Sequence, residues 1–109
     1  MKLIFVSHPL TSSGTIQSNR AKADAICKEI VRMGHLPISP LHLFGFLQEE
    51  TKEQRRPIMN TCFHLIPMCN EVWAYGDQGG CRDEIIHAHL VGVPVVMKGG
   101  KHQHEQLGI

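Results

Sequence analysis

Four short apolar runs, each separated from the next by a stretch of helical spacing, constrain this chain most. They are "KLIFVS" from Lys2 to Ser7, "HLPIS" from His35 to Ser39, "EVWAYG" from Glu71 to Gly76 and "VPVVM" from Val93 to Met97. Short runs rich in β-branched and aromatic residues read as strands. Most are continuously apolar rather than alternating. That is the pattern of strands buried on both faces, with helices supplying the cover.

The intervening segments fit that role. Between Ile16 and Met33, the apolar residues Ala23, Ile26, Ile30 and Met33 recur at spacings of three and four, and Gly34 follows as a helix stop. Pro57 suits the first turn of a second helix. Ile58, Cys62, Leu65, Ile66 and Cys69 continue it, until Pro67 ends or distorts the last turn. A third helix runs from Asp83 to about Val91 and is closed by Gly92. "LHLFGFLQEETKEQRR" reads as a loop with some helical turns and a mobile, charged tip. The fold class is therefore α/β: one small doubly wound domain, Rossmann or flavodoxin-like, with a mainly parallel sheet of four to five strands and right-handed crossovers. The domain spans residues 1–98, and 99–109 form a polar C-terminal tail.

Composition excludes several function classes. The 109 residues carry a net charge of +1 with histidines neutral, so no basic excess points to a nucleic acid polymer. The apolar runs are too short to span a bilayer. "KLIFVSHP" is too short for a signal-peptide core, so the expected location is cytoplasmic and the four cysteines are expected to be reduced. None forms a CxxC pair. The eight histidines raise the question of a metal, but His87 and His89 point in different directions on a helix, and His102 and His104 lie in the polar tail. No metal and no cofactor are expected.

In an open parallel sheet, ligands sit outside the carboxyl ends of the strands. Three segments converge there: "SHPLTSSG", "SPLHLFGF" and "YGDQGGCRDE". The ligand-binding candidates are Ser7, His8 and Pro9 from the first, Ser39 and His42 from the second, and Gly76, Asp77, Gln78, Gly79 and Gly80 from the third. Two readings stand side by side at each loop. The hydroxyls of the first could approach phosphate at a helix start, or Ser12, Ser13, Thr15 or Ser18 could simply cap the helix. Glu84, placed in the first turn of the third helix, is either a working carboxylate or a residue that complements the helix dipole. Tyr75 could stack on a base, whereas Trp73 sits mid-strand as core. Arg55 and Arg56 could reach a phosphate or belong to a solvated face.

The order and spacing of "FVSHP", Asn19, "PISPLHLFGFL", "CNEVWAYGD", Gly80, Glu84, Ala88, Gly92 and "PV" resemble the nucleoside 2-deoxyribosyltransferase-like superfamily, closest to a small branch of bacterial and phage proteins. The resemblance covers Lys2 to Val96. It implies that Glu84 is a catalytic nucleophile attacking the anomeric carbon of a nucleoside or nucleotide, and that Gly80 is the glycine four residues before it. Three positions depart from the family's pattern. Gln78 stands where catalytic members carry serine, and Cys62 stands where they carry an aspartate acting towards the base, with Asn70 at the later carboxylate position. A thiol is a poor general acid in place of a carboxyl; His8 or His42 could take over that part. Two functions follow from the resemblance. One is hydrolysis or base transfer at an N-glycosidic bond; the other is a nucleotide-binding protein that senses or sequesters its ligand without turnover. The resemblance also implies a homo-oligomer, a dimer or a multiple of dimers. The apolar residues Leu41, Leu43, Phe44, Phe46 and Leu47, crowded into one segment, agree with an interface there or on the helix from Pro57.

Overall fold

The computed structural model describes residues 1–11, 14–46 and 52–98. Its elements in chain order are β1 (Leu3–Ser7), α1 (Ile16–Arg32), β2 (Leu36–Ile38), α2 (Pro40–Leu43), α3 (Lys52–Leu65), a 3₁₀ turn (Ile66–Met68), β3 (Glu71–Ala74), α4 (Gly79–Leu90) and β4 (Val95–Met97). The four strands lie in the order β2-β1-β3-β4, and every pairing is parallel. With β1 central and the chain moving outward on either side of it, this is a Rossmann-like sheet of the flavodoxin order, with helices on both faces.

Strand alternation sorts the core into two layers. Ile4 and Val6 point to one face and pack with Ile30 and Trp73, under α1. Phe5 points to the other and packs with Cys62, Ile66, Val72, Ala88 and Val93, under α3 and α4. Ser7 follows Phe5 by two positions and so faces the α3/α4 layer, at the carboxyl end of the central strand. Fully burying side chains such as Phe5 and Ile30 contributes about 1.5–3 kcal/mol each.

The ends of the helices follow from local chemistry. Thr15 is the N-cap of α1: its Oγ1 accepts from the Ser18 amide at 3.0 Å, and Ser18 Oγ accepts from the Thr15 amide at 3.0 Å. The hydroxyls of Thr15 and Ser18 are thus engaged in the cap. Ser12 and Ser13 lie outside the described residues. Gly34 and Gly92 take φ of +85° and +77° just beyond α1 and α4, the left-handed conformation that glycine adopts without cost.

Two sequence expectations are corrected. Pro57 is not in the first turn of its helix: α3 starts at Lys52 and carries Pro57 in its interior. Lys52–Arg56 is therefore helical, and the rest of the expected mobile tip, 47–51, lies outside the described residues. The helix extends back because Arg55 and Met59 share the face that packs on α4, a tertiary contact that outweighs the hydrogen bond lost at proline. The other correction concerns α4, which starts at Gly79, four residues earlier than the charge pattern suggested, and carries no acidic residue in its first turn. Both glycines are inside it.

Of the crowded apolar segment after β2, Phe44 turns inward against the α3/α4 layer, whereas Leu43 and Phe46 remain 51% and 77% exposed. Leu47 and the tail 99–109 lie outside the described residues. No disulfide joins any of the four cysteines. Among the described residues, no helix is long and apolar enough to cross a membrane, and no group of three His, Cys, Asp or Glu side chains is placed to hold a metal ion.

Candidate functional site

Glu84 lies in the second turn of α4 and is only 6% exposed, so it is not the helix-start carboxylate its sequence position suggested. It points into the α3/α4 layer at the carboxyl end of β1. Ser7 Oγ donates to its Oε1 at 2.6 Å, a short hydrogen bond of the charge-assisted kind. The Cys62 thiol, 1% exposed on α3, also hydrogen-bonds the carboxylate. Burial raises the Glu84 pKa to about 7; the hydrogen bonds from Ser7 and Cys62 and the charge of Arg55 pull against that rise, and Asp83 adds to it. A carboxylate this dry and this tightly held, with a pKa near neutrality, is the kind of group found at reactive sites.

The next shell comes from two loops and α3. Gly76 follows β3 and is buried; a Cβ there would lie 3.0 Å from Pro9 Cγ and 3.3 Å from Cys81 Sγ. The loops after β1 and β3 thus touch closely at Gly76, where a side chain would oblige Pro9 or Cys81 to give by a few tenths of an ångström. Burial pushes the Cys81 thiol up to about 11, so it is a protonated filler and not a nucleophile. Gly79 turns the chain into α4 with φ +54°. Gly80 lies directly under the Arg55 guanidinium and 3.7 Å from Met59 Sδ, measured from the position its Cβ would take.

On the other side of the Pro9–Gly76 contact is a cavity of about 600 Å³ lined by His8, Pro9, Asn19, Lys22, Ile26, Tyr75, Gly76, Asp77 and Gln78. Alternation explains the division: Ser7 faces α4, and His8, the next residue, faces the α1 side. The His8 and Tyr75 rings lie 5.9 Å apart. His8 Nδ1–H donates to the Pro9 carbonyl at 2.8 Å, which fixes its tautomer; burial holds its pKa below the ordinary histidine value. Burial also pushes Tyr75 up to about 12, so its phenol stays protonated. Gln78 Nε2 donates to Asp77 Oδ1 at 3.3 Å, and Gln78 precedes α4 without capping it through its side chain.

Ser39 and His42 form a separate pair. Ser39 Oγ lies 2.8 Å from His42 Nδ1, and His42 Nε2 lies 3.6 Å from Asp24 Oδ1 on α1. Together with Cys27 and Lys28, His42 and Asp24 line a different, shallower groove of about 420 Å³. Of the sequence candidates, then, Ser7 contacts Glu84, Gly80 lies one helical turn from it, and His8, Pro9, Gly76, Asp77 and Gln78 adjoin it across the loop contact. Trp73 is core, with the Lys98 ammonium 4.1 Å from its ring centre. Sequence reasoning misplaced Arg55 and overlooked Cys81 and Lys22. The signal for Arg55 was there: Arg55, Met59 and Cys62 continue the helical spacing N-terminally past Pro57.

Residues 2–98 match the family described as a domain of unknown function, DUF7768. No curated protein matches the sequence. Among solved structures the chain is similar to a 2-deoxyribosyltransferase of the psychrotolerant bacterium Bacillus psychrosaccharolyticus, with a TM-score of 0.67 and 16% identity over 87% of this chain and 70% of that one. At that identity the likeness is one of fold. The chain thus belongs to the DUF7768 family, and its α/β domain shares the fold of that 2-deoxyribosyltransferase.

Proposed function

We propose that this chain acts on the N-glycosidic bond of a nucleoside or nucleotide, by hydrolysis or base transfer, with Glu84 as the nucleophile. The observation that carries the reading is the buried Glu84 carboxylate, held by Ser7 at 2.6 Å where the sheet's carboxyl edge would receive a ligand. The fold shared with a 2-deoxyribosyltransferase supports it. In the reaction, the Glu84 oxygen not engaged by Ser7 attacks the anomeric carbon, the C–N bond breaks, and its electron pair leaves with the base. Water or a second base then attacks the same carbon and releases Glu84. The cavity lined by His8, Tyr75, Lys22 and Asp77 accommodates the part of the ligand remote from Glu84. His8 is largely neutral at pH 7, so it can accept a hydrogen bond from the ligand more readily than it can give up a proton.

The test is incubation with a panel of nucleosides and nucleotides, read by chromatography for free base and by mass spectrometry for retained ligand. Release should increase as the pH rises through about 7, because Glu84 attacks only when ionised. A second reading, binding without turnover, is favoured by one feature: the side chain on α3 that meets Glu84 is the Cys62 thiol and not a carboxylic acid. Intact ligand retained with no base released would select it. Neither release nor retention would remove both.

We also propose a homo-oligomer. Leu43 and Phe46 are 51% and 77% exposed in the segment after β2, and β2 is an edge strand on which Leu36 is 44% exposed; exposed apolar side chains and an open strand edge are common contact surfaces. Light scattering at micromolar concentration should give a multiple of the 12.2 kDa chain mass, most simply a two-fold dimer. A monomer mass across the whole concentration range would rule this out.

A further inference from the structure

We infer that Arg55 is a positioning residue that controls the ionisation of Glu84 from across the α3–α4 contact. The inference deepens the reading of Glu84 as a working carboxylate, and its geometry is specific. Residues four apart on a helix share a face, and a helical side chain leans towards the N-terminus of its helix. Glu84 therefore leans towards Gly80. The Arg55 guanidinium occupies the volume that any Cβ at position 80 would need, so a side chain there would push it aside from its present place over α4. Met59, one turn further along α3, packs beside it. The end of the Arg55 side chain thus lies over the first turn of α4, one helical turn from Glu84 and near enough for its charge to act on the carboxylate, while Ser7 approaches from β1.

The groups facing Glu84 can be named element by element. β1 contributes the Ser7 hydroxyl, and α3 contributes the Cys62 thiol and Arg55. α4 contributes Asp83 and, beside Ser7, the Cys81 thiol; Asp77 of the loop before α4 acts on Cys81. Among these described neighbours Arg55 is the cation that opposes the burial of the Glu84 charge. The hydrogen bonds from Ser7 and Cys62 hold the carboxylate in place and favour its charged form, and the Arg55 charge adds to them from across the helix contact. Because the cation is carried on α3 and the carboxylate on α4, any ligand that shifts one helix against the other also changes how readily Glu84 ionises.

The experiment is a pH titration of Glu84 in the free protein, followed by carboxyl-carbon NMR, in the parent and in Arg55→Met, Arg55→Lys and Gly80→Ala. Arg55→Met should move the Glu84 midpoint upward by about one pH unit or more, with Arg55→Lys intermediate. Gly80→Ala should move it the same way, because the new methyl displaces the guanidinium and leaves its charge intact. Alanine is also a better helix former than glycine, so this variant keeps the fold even if Arg55→Met does not. A Glu84 midpoint unchanged in Gly80→Ala and in every folded Arg55 variant overturns the inference. The titration uses no ligand, so failure of the nucleoside panel leaves it standing. Base release by the parent with a flat set of titrations would overturn the role of Arg55 alone.

Discussion

The Glu84→Gln variant is expected to lose base release by orders of magnitude and, at the same time, to melt higher than the parent at pH 8. The loss follows from chemistry: an amide has the shape of the acid but cannot form the glycosyl ester. The gain follows from linkage. Burial raises the folded-state pKa of Glu84 to about 7 from an ordinary 4.5. A raised carboxyl pKa means that the native state holds this proton more tightly than the unfolded chain. Its contribution to stability is fully present below about pH 4.5 and is lost as the pH rises through about 7. At pH 8 the native protein carries a buried charge that costs about 3 kcal/mol relative to the neutral acid. Glutamine keeps a hydrogen-bonding oxygen for Ser7 and removes that charge. For a domain of this size the gain is a melting shift of about 10 °C or more, shrinking towards zero at pH 5. Thermal melts of both proteins at pH 5 and pH 8 check it. Identical melting differences at the two pH values would show that Glu84 titrates like a surface carboxylate.

Cys62→Asp should act in the opposite direction. Cys62 is almost fully buried among Phe5, Ile66, Val72 and Ala88, and its thiol already meets the Glu84 carboxylate. An aspartate there sets two carboxyls against each other in a dry layer, where they share one proton. At pH 8, with both ionised, the loss should be about 3–5 kcal/mol, the typical cost of an uncompensated buried charge. Near pH 5.5 the shared proton bridges the pair and much of the loss is recovered. Denaturant unfolding at the two pH values reads this directly. Equal stability of parent and variant at pH 8 would place position 62 in contact with solvent. Where the variant is folded, base release should rise, since the protonated member of the pair supplies the general acid that a thiol does not.

The architecture was legible because the strands announce themselves. "LIFV" and "VVM" are apolar on both sides of the pleat, and only a sheet covered on both faces uses such runs. The end of α1 was equally plain, since Gly34 supplies the left-handed residue that the helix needs beyond its C-cap. What could not be read were contacts between distant segments. The start of α4 depends on Gly79 and Gly80, which have poor helix propensity; the inclusion of Gly80 is understandable only once Arg55 and Met59 are seen lying across it. Pro57 misled for the same reason. Its local preference is for a first turn, but packing of the residues before it carries the helix further back. Glu84 could be singled out by position, whereas its burial, its hydrogen bond from Ser7 and its meeting with Cys62 join three segments far apart in the chain.

The close approach at Gly76 has a consequence for how sequences of this family can diverge. Three positions, 9, 76 and 81, fill one small volume, with the Pro9 ring and the Cys81 sulfur both within van der Waals reach of where a methyl on residue 76 would stand. Substitutions at these positions are therefore not independent events. A larger residue at 76 fits more readily once 9 or 81 has become smaller, because otherwise those neighbours must give by a few tenths of an ångström, whereas a smaller residue at 9 or 81 leaves a void that a side chain at 76 can fill. The order in which changes arrive then decides which of them are tolerated, and descendants that took different orders would carry different but internally matched triplets around the same unchanged carboxylate.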